Sequence, residues 1–96
     1  MEQITILIVD DHKLIRSSWA FIMNSDPHFH VVAETASVEE GMEAAKKFLP
    51  DIVLMDINMP GINGIEGVPL ILNQSPGSKI IGVSFHAQPE IGRAHV

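Results

Sequence analysis

Two runs of β-forming residues, each apolar almost throughout and each ending in carboxylate, constrain this chain most. The first is Ile4-Thr5-Ile6-Leu7-Ile8-Val9, closed by Asp10-Asp11, and the second is Asp51-Ile52-Val53-Leu54-Met55-Asp56. A strand open to water on one face alternates apolar and polar residues, so an unbroken apolar run predicts a strand covered on both faces. Between and after these runs the period changes to a helical one. A helix is expected from about His12 to Asn24, with Ile15, Ser18, Trp19 and Ile22 on one face. Asp26-Pro27 predicts a turn and Val31 to Thr35 a short strand. Ser37-Val38-Glu39-Glu40 has the S-x-x-E form of a capping box and opens a second helix that must end before Pro50.

The remainder continues the alternation. A loop with Pro60, Gly61, Asn63 and Gly64 leads into a third helix of poor propensity, because Gly67 and Pro69 lie inside it. Ser75-Pro76-Gly77-Ser78 predicts a turn, Lys79 to Ser84 a fourth strand, and Pro89 the first turn of a fourth helix. The order βαβαβαβα implies an α/β domain, a doubly wound parallel sheet with helices on both faces. Its 96 residues make one domain, 1–96, without repeats or linkers. In such sheets ligands gather outside the carboxyl ends of the strands.

Composition narrows the function classes. Twelve Asp plus Glu against six Lys plus Arg give a formal charge of −6, which argues against a phosphate-binding basic stripe and so against direct nucleic-acid binding. The chain has no Cys, which excludes disulfides, thiol catalysis and thiolate metal sites and fits a cytoplasmic location. No apolar run is long enough to span a membrane, and Met1-Glu2-Gln3 is not the basic start of a signal peptide.

The expected strand ends carry oxygen side chains: Asp10 and Asp11 after the first, Asp56 on the third, Ser84 on the fourth. Taken singly, each has a plainer reading. An acidic pair can cap the following helix, Asp56 with Asn58, Pro60 and Gly61 can be turn chemistry, and a strand serine can bond to backbone. Together they place three carboxylates on one edge of the sheet. Bare, these repel. A hard divalent cation such as Mg²⁺ resolves the conflict, and one carboxylate can then act as a nucleophile toward phosphorus, giving an aspartyl phosphate. The five histidines (12, 28, 30, 86 and 95) read as scattered, solvated side chains, with only His28 and His30 closely spaced. Trp19 reads as core or partly covered surface, and Glu39, Glu40 and Glu43 as a solvated helix face.

The segments Ile6 to Asp11, Asp51 to Gly64 and Ile80 to Ser84, in that order and spacing, resemble the CheY-like receiver domain of two-component response regulators. His12-Lys13 after the acidic pair, and Val32-Ala33-Glu34-Thr35-Ala36, are similar to the NarL/FixJ subfamily, whose receivers precede a LuxR-type helix-turn-helix DNA-binding domain. The resemblance implies a flavodoxin-like sheet of strand order 2-1-3-4. It implies Asp56 as phosphoacceptor, Asp11 as a direct Mg²⁺ ligand, Asp10 acting mainly through water, and the main-chain carbonyl of Asn58 completing the metal shell. Ser84 takes the place of the switch hydroxyl that bonds the phosphoryl oxygen, and Phe85 beside it is expected to narrow access. Pro60, Gly61 and Gly64 shape the loop after the acceptor. The implied donor is the phosphohistidine of a histidine kinase, the implied output transcription, and the implied catalysis no more than the domain's own phosphorylation and dephosphorylation.

The family pattern also carries a fifth strand with a lysine and an aromatic switch residue, about twenty residues after the switch hydroxyl, in a domain of roughly 120 residues. In this sequence that position falls beyond Val96, so the fifth strand and last helix are expected to be missing. With a phosphoryl group of about −2 on Asp56 and two ionised neighbours the site would hold about −4, which Mg²⁺ halves. An unpaired fourth strand is a template for association, so a homodimer or segment-exchanged dimer is a further expectation. Two competing readings follow: a receiver that no longer switches but acts as a dimerisation or partner-binding module, and a Mg²⁺-dependent phosphohydrolase. The latter normally needs a second carboxylate two residues after the nucleophile, where Asn58 stands.

Overall fold

The structure, a computed structural model, describes residues 2–59, 61–62 and 64–84. The elements are β1 (Ile4–Val9), α1 (Lys13–Asn24), β2 (Phe29–Thr35), α2 (Val38–Phe48), β3 (Ile52–Asp56), α3 (Gly64–Gln74) and β4 (Lys79–Val83). All strand pairs are parallel and the sheet order is β2-β1-β3-β4, as the resemblance implies. The reversal in strand order falls between β1 and β3, whose residues pair from Ile6 with Ile52 to Val9 with Met55. That is the crevice where ligands of this architecture collect.

The unbroken apolar runs of β1 and β3 divide by parity. Leu7, Val9, Val53 and Met55 face one way and pack with Val38, Ala44, Ala45 and Ile71 of α2 and α3. Ile6, Ile8 and Leu54 face the other way and pack with Ala20, Trp19 and Met23 of α1. The period of two sends alternate side chains to opposite faces, and both faces are dry over Ile6 to Val9 and Val53 to Met55, where no polar residue interrupts either run. β4 at the edge of the sheet is less covered: Lys79, Ile81 and Gly82 are exposed.

One boundary and one helix face depart from expectation. β2 begins at Phe29, two residues before the expected start, because Ile4 N–H donates to His28 O and pairing with β1 runs from Phe29 onward. In α1 the packed residues are Ile15, Arg16, Trp19, Ala20 and Met23, while Ser18 and Ile22 are exposed, so the expected face is rotated. The methyl of Ala20 lets the helix lie close on Ile6 and Ile8, and the larger Ile22 and Phe21 turn outward. After α1, the Asp26 carboxylate accepts His28 N–H at 2.8 Å, which holds Asp26 below the usual carboxylate range.

α2 begins as its sequence predicts. Glu40 N–H donates to Ser37 Oγ at 3.1 Å, and Glu40 Oε1 reaches back to Ala36 N–H at 3.0 Å. Glu39 and Glu40 stand in its first turn and Lys46 and Lys47 in its last, each favourable to the helix dipole. α3 forms despite Pro69, an exposed residue that removes a single main-chain donor from the ladder. The helix expected at Pro89, and the roles expected of Phe85, Pro60 and Asn63, lie outside the described residues. No helix among the described residues is long and apolar enough to cross a membrane.

Candidate cation site at the sheet edge

Backbone pairing carries both acidic strand ends to the same edge. Asp10 N–H donates to Thr35 O at 2.9 Å, extending the β1–β2 ladder one residue past Val9. Ile57 N–H donates to Val83 O at 2.9 Å, extending the β3–β4 ladder past Asp56. The carboxylates of Asp10 and Asp56 therefore sit on rigid strand ends and are 1% and 0% exposed. Asp11 stands one residue further out and is half-exposed.

Each buried carboxylate is oriented by the main chain that follows it. Asp10 Oδ1 accepts His12 N–H at 2.8 Å, and Asp56 Oδ1 accepts Asn58 N–H at 2.8 Å. Both are Asx-type bonds two residues on, a geometry that short acidic side chains adopt at the end of a strand. Arg16 Nη1 donates to the Asp10 carbonyl at 2.7 Å, and its Nε lies 3.7 Å from Glu34 Oε1, so α1 and β2 together brace the loop after β1. On the β3 side α3 starts directly against the strand. A Cβ on Gly64 would fall on Ile57 Cα and 2.8 Å from Asp56 O, so only glycine permits this approach. Gly61 takes a φ of +79°.

The structure brings together three of the residues expected at the site, Asp10, Asp11 and Asp56. It adds one that the sequence reading set aside, His12. One ligand atom from each of these four residues lies within 4.8 Å of all the others. His12 Nδ1 is 3.2 Å from Asp10 Oδ1, 3.2 Å from Asp11 Oδ1 and 3.9 Å from Asp56 Oδ2. The signal for His12 was its adjacency to the acidic pair at a strand end, obscured because it was counted among five scattered histidines. His28 and His30 behave as expected: both are exposed, and His28 Nδ1 lies 2.8 Å from Asp26 Oδ1.

Ser84 lies just past β4, and its Oγ accepts a hydrogen bond from Asn58 Nδ2 at 2.6 Å. The Asn58 side chain thus ties the loop after β3 to the end of β4. It is an amide in the place where a strand-end phosphohydrolase carries its proton-transferring carboxylate, and an amide cannot do that work.

The donor set suits a hard cation. Asp10 Oδ2 is buried and has no hydrogen-bond partner among the described residues. An ionised oxygen left so in a dry site is costly unless something positive faces it. The oxygen atoms gathered here are the ligands that Mg²⁺ and similar ions prefer.

A protein-family model described as the response regulator receiver domain matches residues 6–95. The chain is 39% identical over 84 residues to the transcriptional regulatory protein DegU of Brevibacillus brevis, covering 88% of this chain and 36% of that protein. It is 36% identical over 89 residues to the nitrate/nitrite response regulator protein NarL of Escherichia coli K12, covering 91% of this chain and 41% of that one. The chain thus spans well under half the length of these relatives. Among solved structures, the response regulator domain of Thermotoga maritima CheB superposes with a TM-score of 0.79 at 32% identity, over 98% of this chain and 72% of that one. A LuxR-family response regulator from Aurantimonas sp. SI85-9A1 gives 0.81 at 29% identity, over 96% and 66%.

Proposed function

The chain belongs to the response regulator receiver domain family, and on that footing we propose that it is a phosphorylation switch. Asp56 is the acceptor, the phosphohistidine of a histidine kinase the donor and Mg²⁺ the cofactor. The observation that carries this reading is the convergence of Asp10, Asp11 and Asp56 within 4.8 Å at the switch point of the sheet.

Asp10, Asp11 and Asp56 would hold the ion through their carboxylates and Asn58 through its main-chain carbonyl. A bound ion would supply positive charge that offsets the carboxylates and the incoming phosphoryl group. The rest is work for the chain. The hydrogen bond from Asn58 N–H to Asp56 Oδ1 fixes the carboxylate's rotation. A carboxylate oxygen of Asp56 forms the new O–P bond as the P–N bond to the donor histidine breaks, and the departing imidazole keeps the electron pair. Ser84, held by Asn58 Nδ2 in this structure, exchanges that bond for one to a phosphoryl oxygen. The exchange couples the chemistry to the end of β4 and to the surface beyond it. A phosphoryl group of about −2 beside two carboxylates is the free-energy source for this rearrangement.

The names of the relatives, DegU and NarL among them, support a transcriptional output for the protein to which this receiver contributes. A partner-bound or dimeric state is the form in which such a surface change is read. The direct test is incubation with a small phosphodonor and Mg²⁺. The wild type is expected to acquire one acid-labile acyl phosphate and Asp56→Asn none; equal labelling of both would remove Asp56 as the acceptor.

A further inference from the structure

The acidic edge contains one nitrogen donor that an all-oxygen Mg²⁺ site does not need. His12 is the residue before α1, with an extended backbone at φ −93° and ψ 105°. Two main-chain bonds fix it: its N–H donates to Asp10 Oδ1 at 2.8 Å and its carbonyl accepts Arg16 N–H at 2.9 Å. The ring is thereby turned back over the strand end, with Nδ1 toward the carboxylates. Its distances of 3.2, 3.2 and 3.9 Å to Asp10 Oδ1, Asp11 Oδ1 and Asp56 Oδ2 have a simple geometric meaning. Around an ion with ligands at about 2.1 Å, neighbouring octahedral ligands lie about 3.0 Å apart and opposed ones about 4.2 Å. All four donor atoms lie within 4.8 Å of one another, close enough for a single ion to draw them together. The second sign of a ligand is Asp10 Oδ2, buried and without a hydrogen-bond partner among the described residues.

We propose that His12 is a direct nitrogen ligand of this cation site and biases it toward borderline transition ions such as Co²⁺, relative to the Mg²⁺ preference of the carboxylates alone. The inference rests on the cation reading above and concerns which ions the same carboxylates accept. Imidazole is a softer donor than carboxylate or carbonyl oxygen, so its gain is largest for ions on the transition-metal side of the series and smallest for Mg²⁺. Loss of a mere outer-shell partner weakens metal binding by about 10–100-fold, so loss of a direct ligand should cost Co²⁺ at least about tenfold. Mg²⁺, which readily takes water in place of the ring, should change by no more than about threefold.

The test uses the metals alone on the full chain. MnCl₂, CoCl₂ and MgCl₂ are titrated calorimetrically into wild type, His12→Ala and His12→Gln, with folding of each variant checked by far-UV circular dichroism. Pulsed electron paramagnetic resonance on the Mn²⁺ form reads nitrogen coordination directly. Wild type should show the imidazole ¹⁴N coupling and both variants should lose it, with Co²⁺ affinity falling far more than Mg²⁺ affinity. Retention of the ¹⁴N signal in the variants, or an equal change for all three metals, would overturn the role of His12 and leave the carboxylate site standing. Absence of any saturable binding by the wild type would overturn the cation reading itself and this inference with it.

Discussion

Single atoms decide the geometry at the sheet edge, and Gly64 shows how little room they leave. Its missing Cβ would meet the backbone of Ile57 and Asp56, and backbone cannot turn aside as a long side chain can. Gly64→Ala must move the start of α3 or the end of β3. Overpacking of this kind costs about 1–3 kcal/mol. The expected outcome is a lower urea midpoint with an unchanged m-value and slower phosphorylation of Asp56, since the displaced carbonyl belongs to the proposed acceptor itself. A variant as stable and as readily phosphorylated as wild type would show that the contact yields. At this scale Asp10 and Asp56 were legible in the sequence because each closes an apolar run, so strand pairing alone delivers them to one edge. His12 was not legible. Its position depends on a backbone turn fixed by two hydrogen bonds, and no periodicity announces such a turn.

Helices were legible in their ends more than in their faces. The Ser37 capping box starts α2 where local chemistry says it should, because capping is decided within four residues. The buried stripe of α1 depends on what it lies against. The sheet accepts Ala20 where the sequence pattern offered Ile22, because close approach over Ile6 and Ile8 outweighs burying one more large side chain. The same competition is quantifiable where α3 crosses α2. Gly67 lowers the helix propensity of α3, and alanine would recover about 1 kcal/mol in an open helix. Here the added Cβ would lie 2.8 Å from Val38 Cγ2, a β-branched side chain only 1% exposed and unable to change rotamer cheaply. Gly67→Ala is therefore expected to destabilise by about 1 kcal/mol, the overpacking cost exceeding the propensity gain. Chemical denaturation checks the sign, and a stabilised variant would mean that α2 and α3 separate without penalty.

Over the whole molecule the formal charge of −6 is not spread evenly: Asp10, Asp11 and Asp56 are gathered within 4.8 Å of one another by folding alone. The unfolded chain holds Asp56 more than forty residues from Asp10 and Asp11, so only the native state presents the cluster to a cation. Anything that binds the native state and not the unfolded one stabilises by mass action, about 2.7 kcal/mol at a free concentration one hundred times the dissociation constant. Saturating MgCl₂ should accordingly raise the unfolding midpoint, and a chelator should return it to its starting value. General screening of a net-negative chain acts in the same direction, so NaCl at matched ionic strength supplies the baseline from which the increment is measured. Asp11→Asn separates the two effects, because Asp11 is the half-exposed member and its amide introduces no buried strain. Removing one like charge is expected to raise the cation-free stability of this variant and to shrink its Mg²⁺ increment. If wild type gains no more from MgCl₂ than from matched NaCl, the acidic edge is only a repulsive cluster and the cation reading fails.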